Sequence, residues 1–313
     1  MPFSRFTLLL VVASCALLGA AAPSTASSAG LNVMVTGNCS PGADLASAIQ
    51  AQPGIASVTT FDTGASTPTA ADLAAEDLVV DLGHTCNGYL DPATYGDRLA
   101  NYVDHGGTVL QAAYDNWDDP TSHPTGRFAS GGYAPLSLGP AGNISTTLGQ
   151  ILKPNSPIVQ GLGTFSTGDN TTTPLAPGAT LLAKWADGRN AIAVKGRVVA
   201  TSASAHDIAT LPDLARLARN TAKYFNAVPS TKITDTRIDT GRGTARFRFK
   251  AIGVSLGFVC ELKKSGAKPI FSLCLLHASY SQLKPGLYLF EVVAVGPGGA
   301  DPTPARRRFR IIS

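Results

Sequence analysis

One loop carries the residues best suited to chemistry, and it directly follows a short apolar run, 108–113. The loop holds Asp115, Asp118, Asp119 and His123. Carboxylates in a loop suit a hard cation such as Ca²⁺, or the positioning of a polar ligand. Their spacing matches no calcium-binding motif, and solvated loop acids are the more common meaning of such a pattern. We therefore predict no metal and no cofactor, and keep Asp118 and Asp119 as weak candidates for a cation site.

Two aromatic residues of the same loop indicate a different chemistry. Tyr114 and Trp117 could stack on a sugar, because each ring offers a flat apolar face and a polar edge. A tryptophan in an irregular loop equally often serves as a plug. Together with neighbouring acids and one histidine of an earlier loop, they form the candidate ligand-binding set: Tyr114, Asp115, Trp117, Asp118 and His84.

The elements that must position these residues alternate between strands and helices. Apolar runs bounded by turn residues predict strands, and apolar residues at helical spacing predict helices. The strands are predicted at 31–36, 57–61, 77–82, 108–113, 180–186, 191–195 and 197–202, and the helices at 41–50, 92–105, 143–152 and 207–227. Such alternation predicts an α/β domain with a mostly parallel, doubly wound sheet.

Six segments of this domain carry a resemblance to a known fold. They are VMVTGN (33–38), EDLVVDLGHTC (76–86), LANYVDHGGTVLQAAYD (99–115), GRF (126–128), SPIVQGL (156–162) and GRVVATSAS (196–204). Together they resemble the class I glutamine amidotransferase-like fold, especially its secreted bacterial members of uncertain function. The resemblance implies a flavodoxin-like sheet over residues 30–227, with a cysteine nucleophile in the tight turn after the fourth predicted strand. No Cys, Ser or Thr stands between Leu110 and Pro120, which indicates a catalytically degenerate domain.

A hydrolase with a rearranged site is the alternative. Cys86 follows an earlier strand and has His84 two residues before it, so the two could form a thiol nucleophile and its base. Ser204 and His206 are also close in sequence, but a catalytic triad is defined by geometry rather than by sequence distance. This alternative therefore centres on Asp115, His84 or His206.

Residues 1–29 have the pattern of a secretory signal. A single arginine precedes the apolar core at 6–18, and small residues follow, with cleavage expected near Ser28 or Ala29. The apolar core is too short for a permanent membrane span. Cys15 loosely resembles a lipoprotein acylation site, which leaves lipidation as the minority alternative. We predict a secreted, extracellular protein, with association to the cell surface left open.

The cysteines support export. The chain has five, one of them in the leader, and the others are Cys39, Cys86, Cys260 and Cys274. An even number in an exported chain predicts disulfides. Cys39 follows the first predicted strand and Cys86 the third, so both lie at the same edge of the sheet and we predict that they pair. Paired in this way, Cys86 cannot act as a nucleophile.

Near Pro229 the composition changes, which predicts a domain boundary between residues 30–228 and 229–313. Residues 30–229 contain 10 Lys and Arg against 16 Asp and Glu, whereas residues 230–313 contain 14 against 5. The closing run Arg306, Arg307, Arg308 and Arg310 adds to this basic character, with Arg308 and Arg310 predicted on one strand face. Either the face binds an anionic polymer, or it is a solvated edge that prevents strand pairing.

The second domain alternates apolar and polar residues at 245–250 and is predicted to be all-β, with further strands at 257–262, 287–295 and 307–312. Its motifs are FVCEL (258–262), Phe271, Cys274, YSQL (280–283), PGLYLF (285–290), VVA (292–294), GGAD (298–301) and PTPA (302–305). They resemble the bacterial immunoglobulin-like or fibronectin-like repeats of surface proteins. The resemblance implies a β-sandwich and a Cys260–Cys274 disulfide.

Together these patterns predict a secreted, non-catalytic binding protein for carbohydrate or another cell-envelope component. Its partners are expected to include cell-envelope polysaccharide or another anionic polymer, held by the basic second domain. Nucleic acid is excluded by export and by the lack of a recognition motif. We expect a monomer without a stable membrane span.

Overall fold

The computed structural model describes residues 30–37, 41–83, 88–119, 121–140, 142–163, 165–170, 172–268 and 270–312. The predictions that concern the leader, His84 and the Cys39–Cys86 pair lie outside these residues. The described residues form two compact units, the first ending at Phe225 and the second beginning at Asn226. Within the described ranges, no helix has the length and apolar character needed to cross a membrane.

The first unit is built on one nine-stranded sheet with helices beside it. Its strands are β1 (Leu31–Gly37), β2 (Ile55–Asp62), β3 (Leu78–Asp81), β4 (Val109–Gln111), β5 (Ile144–Ile151), β6 (Ser166–Asn170), β7 (Thr180–Trp185), β8 (Asn190–Lys195) and β9 (Val198–Thr201). Its α-helices are α1 (Pro41–Gln50), α2 (Ala70–Ala74), α3 (Pro92–Asp104), α4 (Gly126–Ser130) and α5 (Leu211–Phe225).

The sheet is mixed, so the prediction of a mostly parallel sheet is wrong. The strand order is β2-β1-β3-β4-β9-β8-β7-β5-β6. Pairing is parallel from β2 to β9 and antiparallel from β9 to β6. The short turns at Gly196 and at Asp187-Gly188 explain the second half, because so short a connection can join only antiparallel strands.

The helix predicted at 143–152 is also wrong, since this segment forms β5. Ile144, Thr146, Thr147 and Ile151 are β-branched and favour a strand over a helix. The strand pairs antiparallel with β7, and Leu148, opposite Trp185, packs against the core. Pairing with a sheet edge therefore outweighs the weak helical spacing of the apolar residues.

Apolar residues cover both faces of the parallel half and place helices on each. Val33 and Val35 of β1 point to the face covered by α1 and α5, whereas Met34 points to the face covered by α3. Helix α3 begins as predicted, with Asp91 accepting a hydrogen bond from the Thr94 amide at 2.9 Å and Pro92 in its first turn. This packing fixes the carboxyl ends of β1, β3 and β4 next to one another.

The second unit consists of antiparallel sheets that share one core. Its strands are β10 (Ser230–Asp239), β11 (Thr244–Ile252), β12 (Gly257–Lys264), β13 (Phe271–Cys274), β14 (His277–Tyr280), β15 (Gly286–Gly296), β16 (Gly299–Ala300) and β17 (Ala305–Ile311). One sheet has the order β10-β11-β14, and the other has the order β13-β12-β15-β16 with β17 also paired to β15. Phe247 and Phe290 stack in the shared core with ring centroids 4.0 Å apart.

Two predictions for this unit are confirmed. Cys260 and Cys274 form a disulfide between the neighbouring strands β12 and β13. On β17, Phe309 and Ile311 are buried whereas Arg308 and Arg310 are exposed, so the strand has the two faces expected from its alternation.

Candidate functional site

A buried polar cluster lies where three neighbouring parallel strands end. Thr36 is near the end of β1, Asp81 ends β3, and Asp115 lies in the 3-10 turn Ala113–Asn116 that follows β4. All three side chains are buried. The strand order reverses between β1 and β3, because β1 leads to β2 on one side while β3 pairs on the other. Such a reversal is where open α/β sheets bind ligands.

Two tyrosines complete the cluster. The Tyr89 hydroxyl lies 2.7 Å from Asp81 Oδ1 and 3.0 Å from Asp115 Oδ1. The Thr36 hydroxyl donates to Asp81 Oδ1 at 2.9 Å and lies 3.0 Å from the hydroxyl of Tyr95. The rings of Tyr89 and Tyr95 stack with centroids 5.3 Å apart. The result is a continuous polar chain from α3 across three strand ends.

The cluster is arranged to hold a proton. A phenol has one proton, so Tyr89 can donate to only one of its two carboxyl neighbours. The other contact is a hydrogen bond only when that carboxyl is itself protonated and donates to Tyr89. Burial raises the pKa of Asp81 to about 6. Burial first, and then the charge of Asp81, raise the pKa of Asp115 well above its usual range. Asp115 is therefore the residue we assign as the neutral acid.

Three consecutive residues in this region each leave a buried polar atom without a hydrogen-bond partner: Asp115 Oδ2, Asn116 Oδ1 and Trp117 Nε1. The rest of the Asn116 side chain is fully used, since its Nδ2 donates to the carbonyls of Ala112 and Thr201 at 3.0 and 3.1 Å. Buried polar atoms in native proteins almost always have partners. The turn after β4 therefore carries two acceptors and one donor whose hydrogen bonding the protein itself leaves incomplete.

Aromatic rings lie beside these atoms. Tyr114 and Trp117 are half-buried and meet edge to face, with ring centroids 4.6 Å apart. His206, which follows β9 and is exposed, meets the Tyr114 ring edge to face at 5.5 Å. The Ser204 hydroxyl lies 3.5 Å from the Tyr114 hydroxyl. The ends of β4 and β9 thus present an aromatic surface with hydroxyl groups at its edge.

Gly83 allows this arrangement. Its φ of +69° lies in the left-handed region, which L side chains rarely adopt. A Cβ at this position would stand 2.6 Å from the Asp115 backbone nitrogen and from Tyr114 Cβ. The segment after β3 therefore touches the turn after β4 so closely that only glycine fits. This contact holds Asp81 and Asp115 together.

The remaining predicted residues have various surroundings. Asp118 is exposed. Asp119 accepts hydrogen bonds at 2.9 Å from both the amide and the hydroxyl of Thr121, as an acid that caps a turn does. His123 is buried, and its Nδ1 lies 3.1 Å from the Trp117 carbonyl. Across the described parts of the chain, no three His, Cys, Asp or Glu side chains are grouped as metal ligands.

Sequence reasoning missed Thr36, Asp81, Tyr89 and Tyr95. One signal was available, since Asp81 ends a strand whose residues are otherwise apolar, Leu78–Asp81. An acid in that position is buried with the strand and needs polar partners. The tyrosines carried no comparable signal, because their spacing fits an amphipathic helix and its preceding loop equally well.

The serines near His206 are not arranged as a nucleophile and base. Ser204 Oγ accepts the His206 backbone amide at 3.1 Å, while the His206 imidazole faces Tyr114. Ser202 Oγ accepts from Trp185 Nε1 at 2.8 Å and donates to the Asn190 carbonyl at 3.1 Å. The Ser202 hydroxyl therefore links the ends of β7 and β8, and the Ser204 hydroxyl stabilises the turn that leads to His206.

Comparison with known proteins gives similarities of shape only. No family model and no curated protein matches the sequence. Solved structures with a similar shape include a ThuA-like protein from Bacteroides uniformis, with TM-score 0.46 and 10% identity over 64% of this chain and 95% of that one. A glutamine amidotransferase from Thermotoga maritima gives TM-score 0.42 and 13% identity over 62% and 96%. An Fn3-like protein from Clostridium thermocellum gives TM-score 0.21 and 16% identity over 25% of this chain and 86% of that one.

Proposed function

We propose that the chain is an exported, non-catalytic binding protein whose first unit holds a carbohydrate or another polyhydroxylated cell-envelope component at the ends of β4 and β9. In this proposal the first unit is a catalytically degenerate amidotransferase-like domain, and the second is an immunoglobulin-like sandwich that locates the protein at the cell surface. Export rests on the leader pattern and on the even number of cysteines that remain after its removal.

The observation that carries the proposal is the aromatic group at the ends of β4 and β9, where the half-buried ring of Tyr114 meets the half-buried ring of Trp117 and the exposed imidazole of His206 edge to face. A sugar ring has apolar C–H faces that stack on aromatic rings, and its hydroxyls both donate and accept, so they can meet the polar edges of Tyr114 and His206. The adjoining rings of Tyr114 and Trp117 supply the apolar face that binding sites combine with a few polar groups.

The backbone supports binding rather than acyl transfer. A nucleophile elbow holds its residue in a strained turn between strand and helix. Tyr114 stands there in a 3-10 turn, and in the part of the chain that the structure describes the non-glycine residue with positive φ is Gln282, in the second unit. A phenol with an ordinary pKa near 10 is also a poor nucleophile at neutral pH.

An array of bacterial cell-envelope oligosaccharides, probed with residues 30–313, tests the proposal. We expect binding that Tyr114→Ala weakens at least about tenfold, because stacking and burial of one aromatic ring contribute roughly 1.4 kcal/mol or more. Trp117→Phe keeps the ring and removes the Nε1 donor, so it should give a smaller loss. The matched control is Tyr133→Ala, a half-buried ring that stacks on Phe128 beside the end of α3. Absence of binding, or equal losses for Tyr114→Ala and Tyr133→Ala, would contradict the proposal.

The hydrolase alternative has one observation in its favour. A carboxyl that burial keeps protonated, as proposed for Asp115, is what a general acid requires. Its side chain is buried, however, and no nucleophile stands in the turn that it shares with Tyr114. We expect no turnover of an amide, ester and glycoside panel. Turnover that Asp115→Asn abolishes and Asp118→Asn preserves would establish the alternative.

A further inference from the structure

The second unit exposes leucines at one edge, a feature that the proposed carbohydrate site does not use. Leu256, Leu273, Leu275 and Leu276 are 65%, 67%, 79% and 68% exposed. Three of them, Leu256, Leu275 and Leu276, line one groove, and we call these three residues the leucine edge. Exposed leucines are ordinary when scattered, whereas a contiguous group marks a binding surface.

The leucine edge is contiguous because of the topology. β13 ends one sheet and β14 ends the other, and Leu275 and Leu276 form the connection between them. Both leucines line an open groove of about 700 Å³, together with Leu256 and Phe258. Leu273 precedes Cys274 on β13, and because side chains alternate along a strand it projects from the opposite face of the sheet. The side chains of the leucine edge therefore gather where the two sheets leave their shared core open.

Cationic side chains lie on one side of the leucine edge, along β11. Lys250 lines the same groove as the leucines. Arg246, Arg248 and Lys250 alternate along β11 with buried Phe247 and Phe249, so all three cations project from one exposed face. A surface that binds a neutral apolar partner has no need of this cationic face.

The acidic residues of the second unit do not offset this charge. Asp235 and Asp239 lie 3.4 and 3.8 Å from the guanidinium groups of Arg237 and Arg242. The other three are buried: Glu261 lies 3.5 Å from Lys263, Glu291 lies 2.6 Å from Arg306, and Asp301 accepts the amides of Thr231 and Thr303. Four of these acids lie beside other cations, so among the described residues no acid of this unit forms an ion pair with Arg246, Arg248 or Lys250, and five acids stand against 14 Lys and Arg in residues 230–313.

We propose that the leucine edge inserts into the surface of an anionic lipid bilayer. Exposed leucines reach the boundary between headgroups and acyl chains, while the cations beside them contact anionic headgroups. A soluble acidic polymer would use the cations and leave the leucines in water. An apolar protein partner would cover the leucines and leave the cations unexplained. An anionic lipid surface matches both features at once, with acyl chains for the leucines and headgroups for the cations.

Vesicle binding by residues 30–313 tests this inference, with the leader removed because its apolar core would bind lipid by itself. Vesicles of phosphatidylcholine and phosphatidylglycerol in equal amounts are compared with phosphatidylcholine alone. We expect cosedimentation with the anionic vesicles, weaker binding at higher salt, and little binding to the neutral ones. Leu275→Ser with Leu276→Ser should lower the partition constant about 100-fold, since burial of each leucine corresponds to roughly tenfold or more.

The matched control is Leu287→Ser. Leu287 is 55% exposed and lies near the start of β15. Leu256 instead bonds to Val295, near the end of the same strand. The Leu287→Ser variant should bind vesicles as tightly as the wild-type sequence does. Leu275→Trp provides a direct measure of depth, because an inserted indole shifts its emission to the blue and is quenched by brominated lipid.

Three results would overturn the inference. The first is that the chain does not bind anionic vesicles, and the second is that the Leu275→Ser, Leu276→Ser variant still binds them. The third is that lipid binding is absent while sedimentation shows self-association that the double variant abolishes. The last would make the edge an interface between copies of this chain. None of these measurements depends on the carbohydrate site, so failure here and failure on the oligosaccharide array are distinguishable.

Discussion

We expect the free energy of unfolding of the first unit to fall as the pH rises from about 4 to about 7. Asp81 and Asp115 have raised pKa values in the folded chain, Asp81 about 6, because burial disfavours their charged forms. In the unfolded chain both return to the ordinary value near 3.9. Above that pH the unfolded chain loses protons that the folded chain still holds, so stability declines until the folded groups ionise.

The size of this effect follows from the shift. From the model value of 3.8 to about 6, the pKa of Asp81 moves by about two units, and each unit corresponds to about 1.4 kcal/mol. Asp81 alone should therefore lower the free energy of unfolding by roughly 3 kcal/mol between pH 4 and pH 7. The raised pKa of Asp115 lowers the free energy of unfolding further over this range of pH. Four exposed acids of this unit have lowered pKa values and change the stability in the opposite direction, but solvent screens their interactions: Asp72, Asp91, Asp104 and Asp187.

Denaturant unfolding followed by tryptophan fluorescence measures this change, since Trp117 and Trp185 both lie in the first unit. Asp115→Asn removes one titrating carboxyl, so relative to wild type it should stabilise the unit more at pH 7 than at pH 4. Asp118→Asn is the control, because Asp118 is an exposed acid of the same loop. The assignment of Asp115 as a neutral acid fails if Asp115→Asn and Asp118→Asn respond to pH alike.

The parallel half of the first unit could be predicted from sequence because local and tertiary signals agree there. The predicted strands at 31–36, 77–82 and 108–113 correspond to β1, β3 and β4, each an apolar run covered on both faces. The segment that became β5 carried weaker local signals, and its edge pairing with β7 decided the outcome. Sequence spacing alone does not reveal which edge a strand joins.

The sequence directed attention to the end of β4, whereas the buried cluster of Thr36, Asp81, Tyr89 and Tyr95 beside it was not predicted. The rule that strand ends carry ligand groups led to Asp115 and Tyr114, and the same rule applied to β3 leads to Asp81. The link through Tyr89 could not be predicted, because it depends on the segment before α3 bringing the Tyr89 hydroxyl to within 3.0 Å of Asp115 Oδ1. Close approaches of this kind arise from backbone geometry, as at Gly83, and leave no periodic pattern in the sequence.

We expect the loss of the Cys260–Cys274 disulfide to destabilise the second unit by about 3 kcal/mol. The bridge closes a loop with a sequence separation of 14 residues, and in the chain-entropy model a loop of about this length contributes roughly that amount. The unit relies on one small core of aromatic and β-branched residues, and small cores leave little stability in reserve. For a domain of this size, the change corresponds to a fall of roughly 15 °C in the melting temperature.

The double variant Cys260→Ala with Cys274→Ala makes the test specific to this bridge, because a reductant would also act on any other disulfide. Far-UV circular dichroism follows both units, whereas tryptophan fluorescence follows the first unit alone. The transition seen only by circular dichroism should move to lower temperature, while the fluorescence transition stays in place. Reduced wild type should match the double variant if the covalent link is responsible. If the variant is much less stable than reduced wild type, loss of packing around the buried Cys260 is the cause instead.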